Sequence, residues 1–202
     1  MRQALSQLAV VKVGGSLLDH PQFAPTLNQF LNERTESSII LICGGGDLAD
    51  GIRLYHKQHQ LREEASHRLA IETMVVNGHL LQYLVPGAQE IKHPQEVGSF
   101  PIAVLNATEF CLNEDKLDDP LPHHWQVTSD SIAARAAGRG GIHHLVMLKS
   151  VERPPDLSWS QCGASHLVDP FFYHEVERWR LDVEWVNFRK LCNVANESPH
   201  SS

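Results

Sequence analysis

The sequence predicts an α/β protein, a three-layer α/β/α sandwich built on a mainly parallel central sheet. Two observations carry that expectation. Short β-branched apolar runs recur along the chain, and segments of helical period separate them, so each strand returns beside its neighbour by way of a helix. The runs are also apolar throughout instead of alternating, which is the pattern of a strand covered on both faces. At 202 residues, 42% of them hydrophobic, the chain can bury roughly 70% of its unfolded surface around one core. One domain over residues 1–195 is expected, with a disordered tail over 196–202.

The first strand is Leu8-Ala-Val-Val-Lys-Val13, which runs straight into Gly14-Gly15. A helix over 26–33 follows, with Pro21 and Pro25 in its lead-in. Residues 38–43, Ser-Ile-Ile-Leu-Ile-Cys, form a second buried strand that stops at Gly44-Gly45-Gly46. Helical period then covers 47–58 and again 61–84. In the longer segment His67, Ala70, Met74, Asn77, Leu81 and Leu84 share a face, and Pro86-Gly87 ends it. Residues 101–105 make a third strand, and the acidic, Pro-containing stretch 113–122 a loop. An alanine-rich helix over 131–137, closed by Gly138 and Gly140-Gly141, leads to a fourth buried strand over 144–148 that ends at Lys149. Residues 153–164 read as irregular. A helix over 171–180, a strand over 183–186 and a short helix over 188–194 complete the domain.

Composition excludes several classes of function. With a formal net charge of -7 and its basic residues scattered, the chain offers no electrostatic footprint for nucleic acid or an anionic membrane. The apolar run at 8–13 is interrupted by Lys12 and is too short for a secretory signal core or a membrane span. The four cysteines, Cys43, Cys111, Cys162 and Cys192, form no C-x-x-C pair, which fits reduced thiols and a cytoplasmic location. Thirteen histidines include the adjacent pairs His123-His124 and His143-His144. Neither H-E-x-x-H nor a Cys/His ligand spacing occurs, so no metal site built from protein side chains is expected.

Three polar or glycine-rich features fall at strand ends, where parallel sheets bind ligands: Lys12-Val-Gly-Gly-Ser16, Gly44-Gly-Gly-Asp47, and Ser129-Asp130 together with Lys149. Glycines after a strand let backbone N–H groups approach an anion, and a following helix adds the positive end of its dipole. A lysine just before such a turn supplies the charge that phosphoryl transfer needs, and Lys12 lies within an apolar strand, where a charge needs a partner. Asp130 is either a cap for the helix at 131 or the residue that holds the lysines. Lys149 either joins it or steps out into solvent. Arg53, one turn past the glycine triplet, could meet an anionic substrate, while His67 and Asn77 are either hydrogen-bonded core residues or ligand contacts. No G-x-x-x-x-G-K-[ST] occurs. Gly44-Gly-Gly-Asp-Leu-Ala49 does fit G-x-G-x-x-A, but the acidic residue expected about twenty positions on falls at Glu63-Glu64, inside helical pattern.

Val10-Val-Lys-Val-Gly-Gly-Ser-Leu-Leu18, Gly44-Gly-Gly-Asp-Leu-Ala-Asp-Gly-Ile-Arg53 and Thr128-Ser-Asp-Ser-Ile-Ala-Ala134 together resemble the amino acid kinase superfamily. Within it the chain looks most like the small aminomethylfuranylmethyl-phosphate kinases of methanofuran biosynthesis, with uridylate kinases the nearest alternative. The resemblance implies an ATP- and Mg2+-dependent kinase acting on an anionic small molecule, a phosphate monoester in the first case and a carboxylate in the acetylglutamate-type alternative. It implies that Lys12 stabilises the transferred phosphoryl, that Gly14 and Gly15 cradle the nucleotide phosphates and that Asp130 organises the lysines; Lys149 stands in for the family's second catalytic lysine, and Ser16 and Ser129 join the phosphate site by their place at the strand ends. By the resemblance Gly45 and Gly46 would approach the acceptor, and their position adds Gly44, Arg53, His67 and Asn77 as candidate acceptor contacts. Where the family continues past the Lys149 strand with Asp-Gly, this chain reads Ser150-Val-Glu-Arg-Pro-Pro155, and no Gly-Gly-Met-x-x-Lys follows. That departure leaves open a non-catalytic member of the fold that binds a nucleotide or oxyanion. A homo-oligomer is expected, from the resemblance and from surplus apolar surface on the helix at 61–84.

Overall fold

The computed structural model describes residues 8–197. Six strands, β1 (Leu8–Val13), β2 (Ser38–Cys43), β3 (Gln89–Ile91), β4 (Ile102–Leu105), β5 (His144–Lys149) and β6 (Asp182–Asn187), form one sheet in the order β3-β4-β2-β1-β5-β6. Every pairing is parallel, as the apolar runs predict. The helices are α1 (Phe23–Asn32), α2 (Gly46–His59), α3 (Glu63–Leu84), α4 (Ala107–Glu114), α5 (Ser129–Gly140), α6 (Trp159–Ala164), α7 (Phe172–Trp179) and α8 (Phe188–Glu197). Among the described residues no helix is long and apolar enough to cross a membrane.

The two-residue period of a strand sorts the core into two layers. Val10, Ile40, Ile42, Leu145 and Met147 pack with Ile71 and Met74 of α3, Phe110 of α4, Ile132 of α5 and Phe172 of α7. Val11, Val13, Leu41, Val146 and Leu148 pack on the opposite face with Phe23 and Leu27 of α1 and Phe188 and Cys192 of α8. The sheet is thus covered on both sides, and the three-layer expectation is borne out. Lys12 shares its face with Val10, which directs it toward α5 from the central strand of the sheet.

Several boundaries differ from the sequence expectation, each for a local reason. Helix α1 starts at Phe23, so Pro25 lies within its first turn, where a missing N–H leaves no intrahelical bond unmade. Helix α5 runs from Ser129 through Gly138 to Gly140, and the stop is Gly141, left-handed at φ +66°. Helix α4 and strand β3 went unread, since β3 has only three residues and two of them are exposed. Helix α6 lies inside the stretch expected to be irregular. Its start is a capping box in which the Ser158 hydroxyl accepts from the Gln161 N–H and the Gln161 side chain accepts from Ser158 N. Asn196 and Glu197, placed in a disordered tail by sequence, belong to α8, and the rest of that tail lies outside the described residues.

Helix α5, which carries the site residues Ser129 and Asp130, is anchored by Arg135, only 1% exposed. Its guanidinium donates to both Glu175 oxygens of α7 at 2.6 and 2.8 Å, to Glu114 of α4 at 3.2 Å and to the Asp119 carbonyl at 2.8 Å. Buried charge is tolerated here because every partner is in place. Gly138 lets the same two helices close up: a Cβ there would sit 2.1 Å from the Trp179 ring. That ring is itself held, since its Nε1 donates to Glu175 at 2.9 Å. Helix propensity alone favours alanine over glycine by about 1 kcal/mol, whereas overpacking costs about 1–3 kcal/mol. Gly138→Ala is therefore expected to lower the denaturant midpoint of unfolding, and a midpoint that rises would show that the ring yields freely.

Candidate active site

The sheet brings the three strand-end features together. From β1 the chain builds outward through β2 to β4 and then returns to β5 on the other side of β1, and the carboxyl ends at that change of direction border a cavity of about 380 Å3. Lys12, Gly14, Gly15, Ser16, Gly44, Gly45, Gly46, Arg53, His67, Ser129 and Lys149 all line it. Of the residues singled out from sequence, Asp130 and Asn77 do not. Asp130 is buried beneath the lysines, and Asn77 borders a smaller pocket beside Gly15 and Gly45.

Asp130 is the pivot. Lys12 Nζ stands 2.9 Å from its Oδ1 and Lys149 Nζ 2.8 Å from its Oδ2, with the side chains 5%, 13% and, for Asp130, 6% exposed. Burial pushes the Asp130 pKa up, but the charges of Lys12 and Lys149 outweigh it and hold the carboxyl below the usual carboxylate range. Burial lowers the Lys149 pKa to about 8, Asp130 opposing that shift and Lys12 adding to it. Lys149 also donates to the Leu167 carbonyl at 2.8 Å. Two ammonium groups therefore share one carboxylate at the base of the cavity.

Asp130 is not the cap of its helix. That role falls to Asp169, which sequence reading missed. Its Oδ2 accepts from Thr128 N at 2.9 Å, Thr128 Oγ1 at 2.8 Å and Ser131 N at 3.0 Å, and its Oδ1 accepts from Ser131 Oγ. Its own N–H donates to Asp130 Oδ2 at 3.2 Å. Burial, with the Asp130 charge adding to it, raises the Asp169 pKa. Local sequence offers only Val168-Asp-Pro170, the mark of a turn. By accepting from the Ser131 N–H in the first turn of α5, Asp169 takes the capping role from another loop, and the Asp130 oxygens are free to face the lysines and the Asp169 N–H.

The glycine turns meet one another. A Cβ on Gly15 would lie 2.3 Å from Gly46 N, and Gly46 itself is left-handed at φ +53°, so neither position accepts a side chain. Asn77 sets the second turn: its Nδ2 donates to the Gly44 and Gly45 carbonyls at 2.8 and 2.9 Å. With both amide hydrogens spent on backbone, Asn77 is a support and not the acceptor contact expected of it.

His67 is corrected in the same way. It is 3% exposed, its Nε2 donates to the Val127 carbonyl at 2.7 Å, and its Nδ1 faces His123 Nδ1 at 3.2 Å. Both ring nitrogens are engaged by protein, so it offers no hydrogen bond to a ligand. Burial lowers its pKa, and the Val127 bond opposes this. Arg53 remains at the mouth, 46% exposed, bonded to Asp50 at 2.5 Å with its guanidinium 4.9 Å from the Trp125 ring centre. The neighbouring wall, Ala49, Ala70, Ile71, Met74, Trp125, Val127 and Ile132, is largely apolar. Trp125 carries no local signal of this placement, and only the fold brings it to the wall.

Past Lys149 the departing segment is pinned. Ser16 Oγ reaches Ser150 Oγ at 3.4 Å, Trp185 Nε1 donates to the Val151 carbonyl at 3.0 Å, and Lys149 Nζ lies 5.5 Å from the Trp185 ring centre. Among the described residues no group of three or more His, Cys, Asp or Glu could hold a metal ion.

No sequence profile of a known protein family matches the chain. Over 128 residues it is 29% identical to a [5-(aminomethyl)furan-3-yl]methyl phosphate kinase of Methanocaldococcus jannaschii, a match covering 61% of this chain and 57% of that protein. The match thus spans little more than half the relative's length. Three solved structures share the fold. A uridylate kinase of Archaeoglobus fulgidus has a TM-score of 0.63 at 16% identity, covering 94% of this chain and 96% of its own. UMP kinase of Ureaplasma parvum has a TM-score of 0.63 at 13% identity, with 96% of each chain covered. UMP kinase of Bacillus anthracis has a TM-score of 0.64 at 10% identity, covering 93% and 92%. The resemblance to the amino acid kinase superfamily stands on these likenesses together with the three ordered motifs.

The ion triad makes a stability prediction. Because the folded-state pKa of Lys149 is depressed to about 8 from an ordinary 10.5, the unfolded chain binds more protons between those values. From this group alone, stability rises with pH across that window. In 13C-methylated protein one lysine signal is expected to titrate near pH 8 and to be absent in Lys149→Arg. Asp130→Asn, which leaves two buried ammonium groups without their carboxylate, is expected to move that midpoint lower still and to cost about 3–5 kcal/mol in unfolding free energy. An unchanged Lys149 midpoint in Asp130→Asn would refute the coupling.

Proposed function

We propose that the chain is a kinase that moves the terminal phosphoryl group of ATP onto an anionic small molecule, with a phosphate monoester of the aminomethylfuranylmethyl phosphate class as the first candidate acceptor. One observation carries the reading: Lys12 and Lys149 converge from β1 and β5 on one buried carboxylate at the floor of a cavity walled by glycine turns. A site that only bound an anion could use the turns alone. Two ammonium groups locked by a shared partner are suited to the charge that spreads over the transferred oxygens, at no cost of reorganisation.

The residues divide the work. Asp130 orients both lysines, Asp169 holds the entry to α5, and Asn77 fixes the Gly44–Gly46 turn. The backbone at Gly14, Gly15 and Ser16 faces the donor phosphates, with Ser129 beside it. A magnesium ion would supply further neutralisation of the donor phosphates and would be held chiefly by them, the lysines already being paired. The acceptor phosphate is largely a dianion at neutral pH, its second pKa being near 6, and needs no strong base. A buried histidine with both nitrogens engaged is consistent with that. Arg53 is the group placed to meet acceptor charge at the mouth, and the apolar wall from Ala49 to Ile132 suits a compact apolar body next to the phosphate. We take the protein to work in the cytoplasm.

A homo-oligomer, at least a dimer, is also proposed. Leu69, Val76, Leu80 and Tyr83 are 45%, 56%, 41% and 89% exposed along α3, and their spacing places them together on the outer side of that helix. Light scattering at micromolar concentration tests it, and a monomer there would contradict it.

Coupled ADP detection over aminomethylfuranylmethyl phosphate, UMP, isopentenyl phosphate and acetylglutamate tests the function. Turnover is expected with a phosphate monoester, and Lys12→Ala is expected to reduce it about a hundredfold or more, the effect of removing one preorganised charge worth about 3–4 kcal/mol, in a protein that still folds. Efficient turnover of acetylglutamate with every monoester inert would overturn the acceptor class. No ADP with any of the four, despite nucleotide binding, would favour a non-catalytic member of the fold.

A further inference from the structure

The polar contacts behind the His67 wall require a definite number of protons. His67 Nε2 lies 2.7 Å from the Val127 carbonyl, which can only accept, so that nitrogen carries hydrogen. His123 Nε2 lies 2.7 Å from Asp115 Oδ1, while Arg68 donates to the other Asp115 oxygen at 3.0 Å. A carboxylate held in this way accepts, so His123 Nε2 carries hydrogen too. The two Nδ1 atoms face each other at 3.2 Å, and a hydrogen bond between them needs one proton, neither none nor two. Three ring protons on two imidazoles amount to one positive charge.

We propose that His67 and His123 form an imidazole–imidazolium pair whose shared proton clamps the Val127 carbonyl, which makes His123 a positioning residue for the segment that enters α5. The charge belongs on His123, which touches Asp115, and not on His67, which is 3% exposed and meets no carboxylate. Val127 is followed by Thr128 and Ser129, which line the cavity, and then by Asp130. While the third proton is bound, the ring of His67 is fixed from both ends. As pH rises and removes it, two lone pairs face each other across the same gap, the rings separate, and the hold on Val127 is lost.

The charged and titratable groups around the pair come from three elements. On α3 are Arg68 and its partner Glu64 at 3.3 Å, Asp115 closes α4, and His124 lies in the intervening loop. On α2, His56 is occupied with Ser66 at 2.9 Å and the Trp125 ring. Among the described residues, Asp115 is the carboxylate that touches the pair, 2.7 Å from His123 Nε2.

The proton count is tested directly by 15N NMR of histidine-labelled full-length protein from about pH 5 to about pH 9, a range that brackets ordinary histidine titration. His123 is expected to hold both ring protons at the low end and to lose the one on Nδ1 as pH rises. The amide signals of Thr128, Ser129 and Asp130 are expected to shift with the same midpoint. His123→Phe should abolish that shift and lower turnover about tenfold, the loss expected for one hydrogen bond to a charged group. His123→Asn, which keeps an amide donor for His67, should recover most of the turnover without the pH dependence. A His123 that stays neutral throughout, or an unchanged midpoint at residues 128–130 in His123→Phe, would overturn the proposal. The effect on turnover rests on the phosphoryl-transfer reading. If the wild-type protein turned nothing over, that reading would fall while the NMR result still decided the pair.

Discussion

A single carboxylate, buried between two lysines, is the constraint around which the rest of the molecule is arranged. Asp130 cannot be desolvated alone, nor can Lys12 occupy the centre of an apolar strand alone. Each makes the other possible, and Lys149 completes the set from the adjacent strand. For the three to meet, β1 and β5 must be neighbours, and α5 must begin at the height of their carboxyl ends. The parallel order of the sheet provides the first condition. The second is provided by Asp169, which caps the helix from outside, and by Arg135, which ties it to α4 and α7.

Polar groups elsewhere in the site follow the same division between those that face the cavity and those that set the geometry of others. Asn77, Asp169 and His67 are buried and hydrogen-bonded to backbone or neighbouring side chains. Lys12, Lys149 and Arg53 carry the charge that faces inward. With two ammonium groups at the floor of the cavity in a chain whose formal charge is -7, attraction for an anion is local and not a property of the whole surface.

The parts legible in the sequence were those whose physics is local. A lysine amid Leu8-Ala-Val-Val, or three glycines after Ile-Leu-Ile-Cys, declares itself within a few residues, and the buried strands followed from composition alone. What was missed depends on partners far along the chain. Asp169 bonds to residues 38 to 41 positions away, and nothing beside it distinguishes a cap for a distant helix from an ordinary turn. His67 and Asn77 sat on the predicted face, yet their role turned on backbone carbonyls 60 and 33 positions distant. Gly138 was read as a helix stop because a glycine that ends a helix and one that admits a tryptophan look alike until the tryptophan is placed. The capping box at Ser158 and Gln161 was the exception, a local signal that was present and passed over.

The contact between Gly15 and Gly46 has a mechanical meaning. With backbone against backbone and no side chain between, the turns after β1 and β2 are already as close as two chains can lie, so this seam acts as a hard stop. Any closing of the cavity around its contents must come from other parts of its wall, while the glycine seam stays fixed.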